Sequence, residues 1–255
     1  MDFPLATPAA TRLDFVASTG STNSDLIAAA GDRSDFSVLV AGEQVAGRGR
    51  SGRSWEAPAG SSMMASVLLR PTSVPPTQYS WLSLIAGLAL ATAVSSFGGS
   101  KRASVKWPND LLIRDHKIAG VLSEVLPDLS GVVIGTGVNV FQTREQLPVE
   151  TATSLLLEGI ELRSIDELLA EYLKNLRSYY DDFVSLGGEL AGSELLTAIR
   201  ENCSTIGRQV RVILPGDKEL VGEAIDIDDL GRIVVRHGGT DTAVSVGDIV
   251  HLRHN

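Results

Sequence analysis

Residues 71–100 contain no Asp, Glu, Lys or Arg, and the stretch 79–97 inside them is mostly apolar. A run of that length has two fates: a membrane span, which takes about 20 apolar residues, or a helix enclosed by a globular core. Ser80, Ser83, Gly87, Thr92, Ser95 and Ser96 keep this run only moderately hydrophobic. A span would also place the arginine-rich segment before it and the lysine motif after it on opposite sides of a bilayer. The sequence therefore predicts a buried helix. A chain of 255 residues, 44% of them hydrophobic, has the length to surround one.

Apolar, β-branched runs bounded by Gly and Pro predict strands at 38–40, 64–69, 103–107, 118–124 and 132–139. The polar turn Arg114-Asp115-His116-Lys117 between Leu111-Leu112-Ile113 and Ile118-Ala119-Gly120 predicts a hairpin, so the sheet is expected to be mixed. Ser164-Ile165-Asp166-Glu167 has the form of a capping box, followed by apolar residues at helical spacing from Leu168 to Val184 and a stop at Gly187-Gly188. A shorter helix is expected over 193–201. From Gly207 the pattern becomes short strands with turns, one at Pro215-Gly216-Asp217, which reads as a small all-β unit of barrel type leaning on the larger part. The expected division is 1–204 and 205–255.

A formal net charge of -9 argues against a general nucleic-acid binder. The single Cys203 excludes an intramolecular disulfide, and four scattered His give no metal-ligand spacing. The first residues lack both the basic region and the apolar run of a signal peptide, so a cytoplasmic protein is expected.

Positive charge is concentrated instead in Gly47-Arg48-Gly49-Arg50-Ser51-Gly52-Arg53-Ser54-Trp55, with no carboxylate among them. Guanidinium forks hold phosphate or carboxylate oxygens, and interleaved Gly lets backbone approach such a ligand. The segment reads as a loop that is mobile when empty and ordered by its anion. The spacing Gly47-x-Gly49-x-x-Gly52 also fits a dinucleotide fingerprint. That motif requires an acidic residue about 20 positions later, and none occurs between Glu56 and Asp110.

Val105-Lys106-Trp107-Pro108-Asn109-Asp110 sets a lysine beside large apolar groups, a costly position without an anionic partner. Lys106 with Asn109 and Asp110 suits a metal-bound triphosphate, although a lysine lying along the surface and two ordinary turn residues explain the same string. Lys117-Ile118-Ala119-Gly120 returns a second lysine nearby. Gly135-Thr136-Gly137-Val138-Asn139 ends a strand with glycines that permit close approach. Ser21-Thr22-Asn23 reads either as a helix N-cap or as a set of donors and acceptors for an uncharged polar group such as a ureido ring.

Taken in order with Gln44, these five motifs resemble the series found in biotin protein ligases, and the resemblance covers nearly the whole chain. It implies an α+β fold: a mixed β-sheet with packed helices, of the class II synthetase-like type, plus a small C-terminal SH3-like β-barrel. It implies that biotin and MgATP give biotinyl-5'-AMP and pyrophosphate, and that the biotinyl group passes to one lysine of a biotin carboxyl carrier domain of acyl-CoA carboxylase. By the same resemblance, Ser21, Thr22, Asn23, Gln44, Gly47, Arg48, Gly49, Arg50, Lys106 and Gly120 are expected around biotin. Arg50, Arg53, Trp55, Lys106, Asn109 and Asn139 are expected around ATP or the adenylate.

Lys106, Arg48, Asp110 and Lys117 are the expected catalytic groups. No fixed protein metal site is implied; Mg²⁺ accompanies ATP near Asp110. About twenty residues precede Ser21, too few for a DNA-binding helix-turn-helix, so a monofunctional enzyme is expected, a monomer or weak homodimer acting on neither DNA nor membrane. A lipoate ligase or octanoyl transferase, which would share the fold, and a non-enzymatic biotin sensor are the alternatives.

Overall fold

The structure is a computed structural model describing every residue except Met1, Lys101, Pro215, Asp217, Val246 and 253–255. Along the chain, β1 (Arg12–Val16) leads through α1 (Thr22–Ala28) to β2 (Ser37–Ala41) and β3 (Ser62–Leu69). Next come α2 (Trp81–Gly98), β4 (Ser104–Lys106), β5 (Asp110–Ile113), β6 (His116–Val125), β7 (Val132–Asn139), α3 (Ile165–Ser185) and α4 (Glu194–Asn202). The seven strands form one sheet in the order β1-β2-β3-β7-β6-β5-β4. The β1–β2 pair is parallel and the other described pairs are antiparallel, so the sheet is mixed.

The uncharged run becomes α2, and it is enclosed: Trp81, Leu82, Ile85 and Leu90 have no exposed surface. It is long and apolar enough to cross a membrane, but its side chains are covered by α3, α4 and one face of the sheet. α3 supplies its apolar stripe, with Leu168, Leu169, Tyr172, Leu173, Leu176, Tyr180 and Phe183 buried. Ser164 Oγ accepts from Glu167 N as expected, whereas the Glu167 carboxylate reaches back to Arg163 N, one residue beyond the expected box. Gly187 and Gly188 end the helix at φ 61° and 86°, a conformation that favours glycine.

Period-two alternation assigns the two faces of the sheet. On β3, Met63, Ala65, Val67 and Leu69 join the helix-side core, whereas Leu68 packs with Leu26 of α1 and Val133 of β7 in a smaller cluster. Ser66 shares this second face. So do Gly135 and Gly137 on β7, and Gly120, Leu122 and Glu124 on β6. Since α1 has only two turns, it leaves the glycine-bearing part of this face open.

β8 (Gln209–Leu214), β9 (Lys218–Ile227), β10 (Ile233–His237), β11 (Thr240–Val244) and β12 (Asp248–His251) form an antiparallel sheet in the order β11-β10-β9-β8-β12. Its inner residues, among them Val210, Val212, Ala224, Ile233 and Val235, belong to the same core as α2. Trp81 Nε1 donates to Asp229 O at 3.2 Å and Trp107 Nε1 to Gly231 O at 2.9 Å, pinning the β9–β10 turn to the larger part.

Two details differ from expectation. β1 and β11 were not read from the sequence. The β5–β6 turn has only two residues, Arg114 and Asp115 at φ 49° and 68°, because His116 and Lys117 already pair in β6. Pro215 and Asp217 of the expected turn lie outside the described residues.

Candidate active site

Ser21 is extended at φ -159° and its side chain makes no capping bond, so α1 presents Ser21, Thr22 and Asn23 at the open face instead. All three are buried. Gln44 Oε1 accepts from Thr22 N at 2.7 Å and lies 2.9 Å from Thr22 Oγ1. Ser66 Oγ lies 2.7 Å from Thr22 Oγ1 and 2.6 Å from Asn23 Oδ1. Asn23 Nδ2 donates to Leu122 O at 3.1 Å and to Glu124 Oε2 at 2.8 Å. The two amides are thereby oriented, and each presents its oxygen to the string. Three O···O contacts then share the hydrogens of two hydroxyls, so the string is one hydrogen short.

The glycines beneath are occupied by close neighbours. A Cβ at Gly135 would lie 2.2 Å from Asn23 Oδ1, and one at Gly137 would lie 2.5 Å from Trp55 Cε2. The close approach foreseen for a ligand is thus made here by the protein's own amide and indole. Trp55 Nε1 is buried without an acceptor among the described residues.

The arginine segment closes on itself. Trp55 N donates to Gly47 O at 2.9 Å and Gly49 N to Arg53 O at 2.7 Å, around a turn with Ser51 and Gly52 at φ 55° and 73°. Gly47 is required by this hairpin, since a Cβ there would lie 2.3 Å from Trp55 O. Its arginines are not all without carboxylates: Arg48 pairs with Glu124 at 2.7 Å and Arg53 with Asp248 at 2.9 Å. Both partners come from distant strands, which corrects the expectation that only an external anion could order the loop. Among the described residues, the Arg50 side chain donates only to the amide oxygen of Asn109, at 3.2 Å. Burial lowers its pKa, and Asp248 partly opposes this.

Behind the loop, Lys106 faces Asp110 across the β4–β5 pair. Asp110 pairs with Lys117 at 2.5 Å. Asn109 is clamped onto β6, donating through Nδ2 to Val121 O at 2.8 Å. Lys106 itself has no ion-pair partner among the described residues, and burial lowers its pKa, with Asp110 pulling in the opposite direction.

Ser21, Thr22, Asn23, Gln44, Arg48, Gly49, Arg50, Arg53, Trp55, Asn109, Asp110, Lys117 and Gly120 line one cavity. Lys106 opens on the adjoining cleft towards β12, with Arg208 and His251, and Asp110 and Lys117 stand between the two spaces. Asn139 is not brought to the cavity. Its buried amide donates to Thr153 O at 3.0 Å and accepts from Gln142 Nε2 at 3.1 Å. Ser54, Leu122, Gly135, Thr136 and Gly137 also line the cavity, beyond the expected set. The period-two series from Gly120 was the available signal for Leu122.

Comparison with known proteins shows the family. Residues 15–139 match the biotin/lipoate A/B protein ligase family and residues 205–252 match the biotin protein ligase C-terminal domain. The biotin–[acetyl-CoA-carboxylase] ligase of Mycobacterium tuberculosis is 42% identical over 95% of this chain and 90% of its own length. The chain belongs to the biotin protein ligase family. A ligase of the same name from Paracoccus denitrificans is 30% identical, over 87% of this chain and 92% of its own. The fold of the biotin protein ligase from Aquifex aeolicus, solved in complex with biotin and ATP, superposes with a TM-score of 0.79 at 24% identity, covering 96% and 100% of the two chains. Biotin protein ligase architecture therefore accounts for both sheets.

Proposed function

We propose that this chain activates biotin with MgATP to biotinyl-5'-AMP and then transfers the biotinyl group to one lysine of a biotin carboxyl carrier domain. The observation that carries this reading is a single cavity with an uncharged, oxygen-rich end and a cationic end. The string of Thr22, Ser66, Asn23 and Gln44 lacks a hydrogen and suits a ligand that brings N–H donors, as a ureido ring does. Arg50, with Lys106 behind it, is free to meet a carboxylate and an α-phosphate.

In the first step a biotin carboxylate oxygen bonds to the α-phosphorus and the bond to pyrophosphate breaks. Like-charged groups approach, so fixed cations in a partly dehydrated site lower the barrier. Arg50 and Lys106 fill that role, with Asp110 and Lys117 holding the wall between them. No group of three or more His, Cys, Asp or Glu that would hold a metal occurs among the described residues. In this reading Mg²⁺ enters as part of the nucleotide substrate, and Asp110 lines the cavity that would receive it.

In the second step the acceptor amine bonds to the acyl carbon and AMP leaves; the loop 47–55 keeps water from the mixed anhydride meanwhile. Trp55 with its unpaired N–H, Arg53 and Asn109 take the nucleotide side. Asn139 supports the end of β7 and touches no ligand in this assignment.

The test is incubation with biotin, MgATP and a carrier domain, read as mass gain on the carrier and pyrophosphate release in its absence. Tight biotin binding without pyrophosphate release would select a biotin sensor. Mass gain from lipoate or octanoate but not from biotin would select the sister acyl-transfer chemistry.

A further inference from the structure

Glu124 has no role in the reading above, yet it stands where the oxygen string meets the arginine loop. It follows Gly120 and Leu122 on the open face of β6, and one of its oxygens, Oε2, accepts from both Asn23 Nδ2 and Arg48. An ionised carboxylate can only accept. It therefore forbids the reversed Asn23 amide, which would set oxygen against oxygen; Leu122 O acts in the same sense.

The consequence runs the length of the string. With Asn23 Oδ1 held as an acceptor, the Ser66 hydroxyl must donate to it, and the one Thr22 hydrogen serves either Ser66 Oγ or Gln44 Oε1. One of the two contacts of Thr22 Oγ1, at 2.7 Å to Ser66 Oγ and 2.9 Å to Gln44 Oε1, is left without a hydrogen. Were the Asn23 amide reversed, the string would satisfy itself without a ligand: Asn23 to Ser66, Ser66 to Thr22, Thr22 to Gln44. Glu124 thus leaves the string one hydrogen short at Thr22, which borders the cavity together with Gln44.

We propose that Glu124 is a positioning residue which sets the donor direction of this string, makes its cavity end an acceptor, and so determines specificity for a ligand N–H. The inference rests on biotin as the ligand and adds a group that touches neither biotin nor ATP. Because Arg48 shares the same carboxylate oxygen, the first limb of the loop is anchored to the group that orients the string.

The experiment is calorimetric titration of the full chain, without ATP, with biotin and with its cyclic carbonate analogue, which keeps the ring carbonyl but has no N–H. Wild type should prefer biotin by about tenfold to a hundredfold, the span expected when a buried acceptor is left unpaired. Glu124→Gln, whose amide can also donate, should reduce that ratio by about tenfold with little change in affinity for the carbonate. A merely structural role would weaken both ligands together and leave the ratio unchanged, which overturns the proposal. Equal binding of the two ligands by wild type also overturns it while biotin ligation stands. Binding of neither sinks the biotin reading itself, and this inference with it. If Glu124→Gln does not fold, Glu124→Met, which removes the acceptor at similar length, carries the same comparison, and an unchanged ratio there is equally fatal.

Discussion

Lys106 is a charge without an ion-pair partner among the described residues, held where burial disfavours it. A group kept at such a cost and not used for packing is the one whose removal should separate activity from stability. Lys106→Ala should lower the adenylation rate by a few hundredfold, or about 3–4 kcal/mol, and leave the melting temperature unchanged or slightly raised, because no carboxylate loses its ion pair. Near-normal pyrophosphate release would remove Lys106 from the reaction. Gly137 gives a complementary test at the other end. Gly137→Ala places a Cβ 2.5 Å from the Trp55 ring, so the indole must leave the floor of the cavity. Nucleotide affinity should then fall more than biotin affinity, with a shift in tryptophan emission; an unchanged emission spectrum and unchanged ATP binding would mean that Trp55 has no part in the nucleotide side.

Among the elements, the loop 47–55 shows how far local sequence chemistry reaches. Its glycines, arginines and terminal tryptophan announce an anion site from local chemistry alone. The partners Glu124 and Asp248 lie 76 and 195 residues from Arg48 and Arg53, and no local pattern points to them. β11 escaped notice for a related reason: Thr240–Val244 is exposed at all but Val244, so it carries no apolar alternation. α2 and α3 were legible because burial of a whole helix or of one stripe leaves its period in the sequence. The loop's two ion pairs are partly exposed, with Arg48 at 44% and Arg53 at 59%, and such pairs contribute about 0–1 kcal/mol each. The closed loop should therefore open readily. Trypsin should cut first after Arg48, Arg50 or Arg53 in the unliganded protein, and biotin with MgATP should protect those bonds while NAD does not. Equal cleavage with and without biotin and MgATP would leave a plain surface loop.

For the whole molecule, the decisive feature is that both sheets share one core, with the junction next to Lys106. His251 of β12 sits at that junction, its Nε2 3.1 Å from Thr205 Oγ1, which itself accepts from Trp107 N. Burial, then the nearby Lys106 and Arg208, lower its pKa from 6.5 to about 4, against a weak opposing pull from Asp115. The fold thus prefers the neutral ring, and the unfolded chain binds the extra proton between those two values. Stability should be fully present above pH 6.5 and decline as pH falls towards about 4, levelling off below. Because the ring is only partly buried, screening reduces the effect to roughly 1–2 kcal/mol. Asp14 and Asp228, whose pKa values are lowered from 3.8, lose their contributions at more acid pH, outside that window. Urea melts of the full chain at pH 7.5, 6.5, 5.5 and 4.5 should show this decline, and His251→Gln, neutral throughout, should flatten it. The same slope in the variant would assign the pH sensitivity to other groups and leave the junction between the two sheets indifferent to protonation.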